Sequence, residues 1–214
     1  MYLTPTRPDI QDSVSLISRY MENPTELHHL DAKRILRYLQ GTRDFGLFYK
    51  KGEKSSMIGY IDSDYVGDQD DRKSTSSYVL MFGKSAISWS PKKQPIVTLS
   101  STEAEFVAST SCACQAIWIR RMLDELLIKQ NQPTKIYCDN TSTIKLSKNT
   151  VLHGRSKHID VKYYFLRDLY NDGTIDLMHC KSEDQIADIF TKALNRDIFV
   201  KLRTMLGVRS FNNS

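Results

Sequence analysis

The sequence predicts an α/β fold, a five-stranded mixed sheet flanked by helices and preceded by a helical hairpin. Three observations carry that expectation. Three short runs rich in β-branched and aromatic residues follow one another at 57–62, 76–82 and 86–90, with Gly83-Lys84 suited to a tight turn, which is the pattern of an antiparallel meander. Two further runs, 134–138 and 174–180, each follow a helical segment, as parallel crossover strands do. Ahead of them lie two amphipathic stretches with no strand character.

Those two stretches, 8–22 and 24–40, read as helices. Pro8 and Pro24 suit first-turn positions, Asn23 can cap the second helix and Gly41 ends it. Leu27, Leu30, Ile35, Leu36 and Leu39 form its apolar stripe, and Lys33, Arg34 and Arg37 make the outer side basic. A strand-like piece, Leu47-Phe48-Tyr49, precedes the polar run 50–56, which reads as a linker. The expected division is a helical segment at 1–52, a main domain at 53–195 and a C-terminal helix and tail at 196–214.

Within the main domain a long helix is expected at 101–128, opened by a capping box of Ser100 and Glu103. Val107, Ala108, Ala113, Ala116, Ile117, Trp118 and Ile119 make its middle apolar on nearly every side, so it should be buried against the sheet. Shorter helices are expected at 141–147, 159–170, 184–194 and 196–206, with a polar, basic loop at 148–157 and a turn at Asn171-Asp172-Gly173.

A chain of 214 residues and 24.7 kDa can bury a full core, and 40% hydrophobic with 26% charged residues is ordinary for a globular protein. The net charge of +5 permits nucleic-acid binding without requiring it. No run of 18 apolar residues predicts a membrane span, and residues 1–8 lack the apolar core of a signal peptide, so an intracellular protein, cytoplasmic or nuclear, is expected. Cys112, Cys114, Cys138 and Cys180 form no CxxC pair and read as reduced, buried thiols.

Four acids stand where apolar segments begin or end: Asp62, Glu105, Asp139 and Asp188. Each has an ordinary explanation. Asp139 can cap the following helix, Glu105 can partner Thr102, Asp188 can serve a helix dipole and Asp62 can be an exposed strand end. Taken together they mark two strands and two helices of one sheet, and ligands of such sheets gather beyond strand ends. Carboxylates in half-buried places need a positive partner. A pair of Mg²⁺ ions, hard cations that take oxygen ligands, fits this set and is suited to phosphodiester hydrolysis. A calcium loop starting at Asp62 fails, because Val66 and Lys73 fall where that loop needs oxygen ligands.

The histidines give no zinc pattern. His28-His29 read as solvated, and His153, His158 and His179 read as structural, with proton transfer as the alternative for His158 and His179. Basic residues flank the acids: Arg72, Lys73, Lys92, Lys93, Arg155 and Lys157 are the candidate phosphate contacts, with Lys145 and Lys148 nearby. Such contacts position a nucleic acid without reading its sequence.

The residues also resemble a family. The runs 59–68 (GYIDSDYVGD), 71–78 (DRKSTSSY), 87–94 (ISWSPKKQ), 99–106 (LSSTEAEF), 138–140 (CDN), 156–160 (SKHID) and 185–192 (QIADIFTK) look like the ribonuclease H domain of copia-type retrotransposon Pol polyproteins. Residues 6–10 and 32–42 resemble the end of the reverse transcriptase that precedes it. Nearly the whole chain is covered, in the family's order. The resemblance implies a ribonuclease H-like fold, cleavage of the RNA strand of RNA–DNA hybrids and dependence on two Mg²⁺ (or Mn²⁺) ions held by Asp62, Glu105, Asp139 and Asp188. In this scheme Asp62 and Asp139 hold the ion that activates water, Glu105 bridges toward the scissile phosphate and Asp188 completes the coordination. Glu103 and Asp184 are the rivals of Glu105 and Asp188. The sequence departs from the family's pattern at Ser77, Tyr164 and Ala193, and it lacks the polymerase aspartates. It is expected to be a terminal piece of a Pol polyprotein, with the remainder as a partner.

The alternative from another class is a catalytically silent transposon remnant that binds nucleic acid or protein. Arg34-Ile35-Leu36-Arg37 also matches the short Arg-x-Leu-Arg signature of secreted pathogen effectors, but inside an amphipathic helix four residues carry little weight.

Overall fold

A computed structural model describes residues 3–51, 56–67, 71–148 and 160–213. After a 3-10 turn at Pro8–Ile10 come helices α1 (Gln11–Ser18) and α2 (Glu26–Gly41) and strands β1 (Phe45–Leu47), β2 (Met57–Asp64), β3 (Thr75–Phe82) and β4 (Ser85–Lys93). Helix α3 (Ser101–Glu125), β5 (Thr134–Cys138), α4 (Thr141–Lys148), α5 (Asp160–Asn171), β6 (Ile175–His179), α6 (Arg196–Met205) and β7 (Val208–Ser210) follow. The main sheet has the order β4-β3-β2-β5-β6. Strands β2, β3 and β4 are antiparallel neighbours, and β5 and β6 extend the sheet in parallel. This is the five-stranded mixed sheet that the strand and helix pattern predicts.

One face of the sheet packs on α3 and α5 around Ile61, Leu80, Phe106, Ile136, Leu166 and Leu177. The other face is covered by the 186–190 turn and α6 around Val79, Phe190, Leu202 and Leu206. The close seat of α3 depends on Gly59. A Cβ there would lie 2.9 Å from Cys112 Sγ and 3.2 Å from the Leu80 side chain, so the bare backbone lets the helix approach β2.

Several local expectations change. Strand β2 runs two residues past Asp62, which therefore sits inside the strand, and β4 extends to Lys93 through Pro91, tolerated because β4 is an edge. The first helix ends at Ser18 rather than 22, since the 3-10 bonds of Arg19 and Tyr20 tighten its last turn and Asn23 precedes a proline. Thr25, not Asn23, caps α2, and its backbone N–H donates to His28 Nδ1 at 3.0 Å. His28 is therefore not merely solvated; its ring also stacks on Tyr20 at 4.2 Å. No residue of α2 is fully buried, and Leu27, Leu30 and Leu36 of the expected stripe are exposed. Trp118, expected inside, is 55% exposed because α3 meets the sheet along one stripe only. Cys112, Cys138 and Cys180 are buried free thiols, whereas Cys114 is exposed.

The largest change is at 184–194. In place of a helix there are two 3-10 turns, Ser182–Asp184 and Ile186–Phe190. Gln185 between them is extended and fully buried. Its side chain accepts from Ala187 N and donates to Cys180 Sγ, so it holds the break open.

Two contacts join the ends of the chain. Strand β1 pairs antiparallel with β7, with Gly46 opposite Arg209. Arg7 forms a buried two-pronged pair with Asp9 at 2.8 and 2.9 Å, Tyr38 donates to Asp9 at 2.6 Å, and Arg203 of α6 donates to Tyr38 at 3.0 Å. Among the described residues no helix is long and apolar enough to cross a membrane.

Substituting Gly59→Ala should lower stability by about 1–3 kcal/mol through overpacking against Cys112. The double variant Gly59→Ala, Cys112→Ala should recover part of that loss, and urea unfolding midpoints of the single and double variants measure the coupling.

Candidate active site

The main sheet brings all four predicted acids to one end. Asp62 points inward from β2 and is 2% exposed. Glu105 lies in the second turn of α3, also buried, and Asp139 follows the last residue of the neighbouring strand β5. Asp188 is buried within the second 3-10 turn. That turn is fastened to the sheet by Ser77, whose hydroxyl donates to Ala187 O at 3.1 Å and whose residue pairs directly with Asp62.

Two pairings organise the cluster. Lys192 Nζ lies 3.1 Å from Asp62 Oδ1 and 2.9 Å from Asp188 Oδ1, bridging the two. Glu105, Cys138 and Asp139 place one ligand atom each within 4.8 Å of one another. The Cys138 thiol donates to Glu105 Oε2 at 2.9 Å, and Asn140 Nδ2 to Oε1 at 3.4 Å. Thr191 donates to Asp62, and Ser182 to Asp139 at 3.3 Å.

The electrostatics follow from burial and crowding. Burial, with the charges of Asp139 and Asp62 adding to it, pushes Glu105 up to about 7 against the opposing Cys138 hydrogen bond. Burial and the charge of Asp62 raise Asp188 to about 6, with Lys192 opposing. The Cys138 thiol is pushed far up by burial and by Glu105, so it is a neutral donor. Burial alone would lower the Lys192 ammonium, but the two carboxylates hold it above its ordinary value. The donor set is therefore rich in carboxylate oxygens, with the Cys138 sulfur beside them, and short of positive charge, a combination that suits a divalent ion.

The two rivals have other work. Glu103 Oε2 accepts from Leu99 N at 2.8 Å, while the cap residue Ser100 accepts from Glu103 N at 3.2 Å; the Ser100 half of the expected box is present and the Glu103 carboxylate serves the residue before the cap. Asp184 is paired with Lys201 at 2.8 Å on the surface.

The basic candidates at the sheet edge come together. Lys92 and Lys93 pair with Ser76 and Thr75, which pair in turn with Ser63 and Asp64 beside Asp62. Lys73 and Lys93 both reach Asp71, at 3.6 and 2.9 Å, while Arg72 and Lys92 are exposed. Arg155 and Lys157, with His153 and His158, lie outside the described residues. His179 is exposed at the end of β6, opposite Cys138 in register. Lys148 is taken up by Asp176 at 3.3 Å. The Arg34–Arg37 motif lies within α2, where Arg34 pairs with Asp31.

Sequence reasoning gave no role to Lys192, Thr191, Cys138 or Ser77. The spacing of Asp188 and Lys192, acid then lysine four residues on, was the available signal for the first. Nothing local signalled the other three, because each acts across the sheet.

No family model matches the chain. It is 46% identical over 209 residues to the "Retrovirus-related Pol polyprotein from transposon RE1" of Arabidopsis thaliana, a match that takes in 97% of this chain and 14% of that protein. It is 39% identical over 120 residues to "Secreted RxLR effector protein 161" of Plasmopara viticola, covering 56% of this chain and 84% of that one. Among solved structures, the N-terminal RNase H domain of rv2228c from Mycobacterium tuberculosis is similar with a TM-score of 0.48 at 10% identity, over 70% of this chain and 97% of that chain. The chain belongs to the family of copia-type retrotransposon Pol polyproteins. It spans about 14% of the length of the Pol polyprotein it matches.

The raised carboxyl groups make metal-free stability depend on pH. An acid whose folded pKa exceeds its unfolded value stabilises the fold fully below the unfolded value, and that contribution is lost as pH rises through the folded one. With unfolded values near ~4, and Glu105 and Asp188 at about 7 and about 6, the thermal midpoint in EDTA should fall between roughly pH 4 and pH 7. Glu105→Gln should flatten the upper part of that decline in a pH series of thermal melts.

Proposed function

We propose that this protein is a ribonuclease H-type endonuclease that hydrolyses the RNA strand of RNA–DNA hybrids with two Mg²⁺ or Mn²⁺ ions. The observation that carries this reading is the meeting of Asp62, Glu105, Asp139 and Asp188 at one sheet end, where burial, with their mutual charges adding to it, raises Glu105 and Asp188, and where Lys192 is the cation that pairs with them among the described residues. Membership of the Pol polyprotein family supports it, and the remainder of such a polyprotein is the proposed covalent partner.

The ions, when bound, supply charge neutralisation at the phosphate and a more acidic water. The chain's own residues supply the rest. Asp62 and Asp188 present oxygens from β2 and the 186–190 turn, and Glu105 and Asp139 present theirs from α3 and the end of β5. Cys138 and Asn140 fix the Glu105 carboxylate by hydrogen bonds to its two oxygens. In hydrolysis a water oxygen bonds to phosphorus, the bond to the leaving ribose oxygen breaks, and a proton passes to that oxygen. Arg72 and Lys92, both exposed, would take up backbone phosphates, and the 2′-hydroxyl would supply the distinction of RNA from DNA.

A labelled RNA–DNA hybrid should be cut by the wild type in Mg²⁺ and left intact in EDTA. Outer partners of a metal already cost about 10–100-fold when lost, so Asp139→Asn should reduce the rate by more than about a hundredfold. Equal cutting by both proteins would defeat the assignment, and hybrid binding without any cutting would favour a silent binding module. Arg72→Ala and Lys92→Ala should each weaken hybrid binding evenly across sequences and reduce the salt slope by about 1, read from titrations at several salt concentrations.

A further inference from the structure

We propose that Lys192 is a built-in counter-cation: its ammonium neutralises Asp62 and Asp188 in the metal-free protein and must leave when a divalent ion enters, so this side chain sets how tightly the ion is held. The inference rests on the metal-binding reading above and concerns a residue to which that reading gives no task.

The geometry is that of two cations competing for one place. The ammonium nitrogen sits 3.1 Å from Asp62 and 2.9 Å from Asp188, using one oxygen of each. A divalent ion drawing on the same oxygens would stand about 2.1 Å from them, closer than the nitrogen does and within the same gap. Both species cannot be there together. Among the described residues Lys192 is also the only cation that reaches any of the four acids.

The two sides differ in their freedom to move. The Asp62 and Asp188 side chains are 3% and 11% exposed, whereas that of Lys192 is 41% exposed. The acids are pinned further, Asp62 by the Thr191 hydroxyl and Asp188 by its short turn. Lys192 N donates to Asp188 O at 3.0 Å, so its backbone is fixed while its flexible side chain can swing to water and keep its charge solvated. Displacement thus leaves no buried, unpaired ammonium behind.

The sign of the effect separates this role from a merely structural one. A structural lysine, once removed, loosens the site and weakens ion binding. A competing counter-cation, once removed, destabilises the metal-free protein and strengthens ion binding.

The test is Mn²⁺ binding by isothermal titration calorimetry at low ionic strength, with thermal midpoints in EDTA and in saturating Mn²⁺, on wild type, Lys192→Met and Lys192→Arg. Lys192→Met should bind Mn²⁺ tighter by roughly tenfold or more, the part of a unit charge's effect that survives solvent screening. It should also melt lower in EDTA and gain more on adding Mn²⁺, while Lys192→Arg stays near wild type. Should Lys192→Met not fold without metal, Lys192→Gln carries the same comparison. Equal or weaker Mn²⁺ binding by the neutral variant, beside normal binding by the wild type, overturns the inference and leaves the metal reading standing. Mn²⁺ binding that is absent from wild type, or that survives Asp62→Asn, overturns both.

Discussion

Mutual repulsion among four carboxylates is the constraint on which this structure turns. Asp62, Glu105 and Asp188 are buried, and Asp139 is half-buried beside them, so none is fully relieved by water. The protein offsets the cost with short-range devices: one ammonium shared by two acids, a neutral thiol and an amide on Glu105, and hydroxyls on Asp62 and Asp139. Even so, Glu105 and Asp188 are held well above ordinary carboxyl values. Carboxyl groups held so far from their ordinary range cost the fold stability wherever they ionise.

The scaffold around the cluster is correspondingly rigid. Each acid is placed by a different element, and those elements are cross-tied by buried polar groups. Ser77 links β3 to the Asp188 turn, and Gln94 Nε2 joins Ser63 and Ser76 of adjacent strands to Ala104 O, one residue before Glu105. Gly59 allows α3 to lie close enough for Glu105 to reach the ends of β2 and β5. A sheet end assembled in this way keeps like charges close because relaxing any one of them would mean breaking a buried hydrogen bond or unpacking a core residue.

What the sequence disclosed follows from the range of the physics involved. Period-two runs, the Ser100–Glu103 cap and the turns at Gly83 and Gly173 are local signals, and the five strands and α3 were legible from them. The acids were legible because each breaks an apolar run. The 186–190 region was misread as a helix because its composition permits one, and a buried Gln185 bonded to Cys180 five residues back overrides that preference. The pairing of β1 with β7 joins residues more than a hundred and fifty positions apart, and three-residue strands leave no periodicity to read. The exposure of Trp118 depends on which stripe of α3 the sheet selects, a tertiary choice that an all-round apolar helix does not encode.

The charge layout also bears on how an anionic chain would meet such a site. Four acids at one sheet end repel a phosphodiester, whereas on the proposed reading the exposed Arg72 and Lys92 attract one. A net charge of +5 helps the approach over longer range, but among the described residues the cluster itself holds one lysine, paired with two of its four carboxyl groups. On the proposed reading the sign of the field there is set by the bound cations. The basic edge then holds the backbone while the acids, once neutralised, face the bond to be cut. On that reading a protein with this site need not be strongly basic: attraction would be required at the rim, and at the centre it would arrive with the metal.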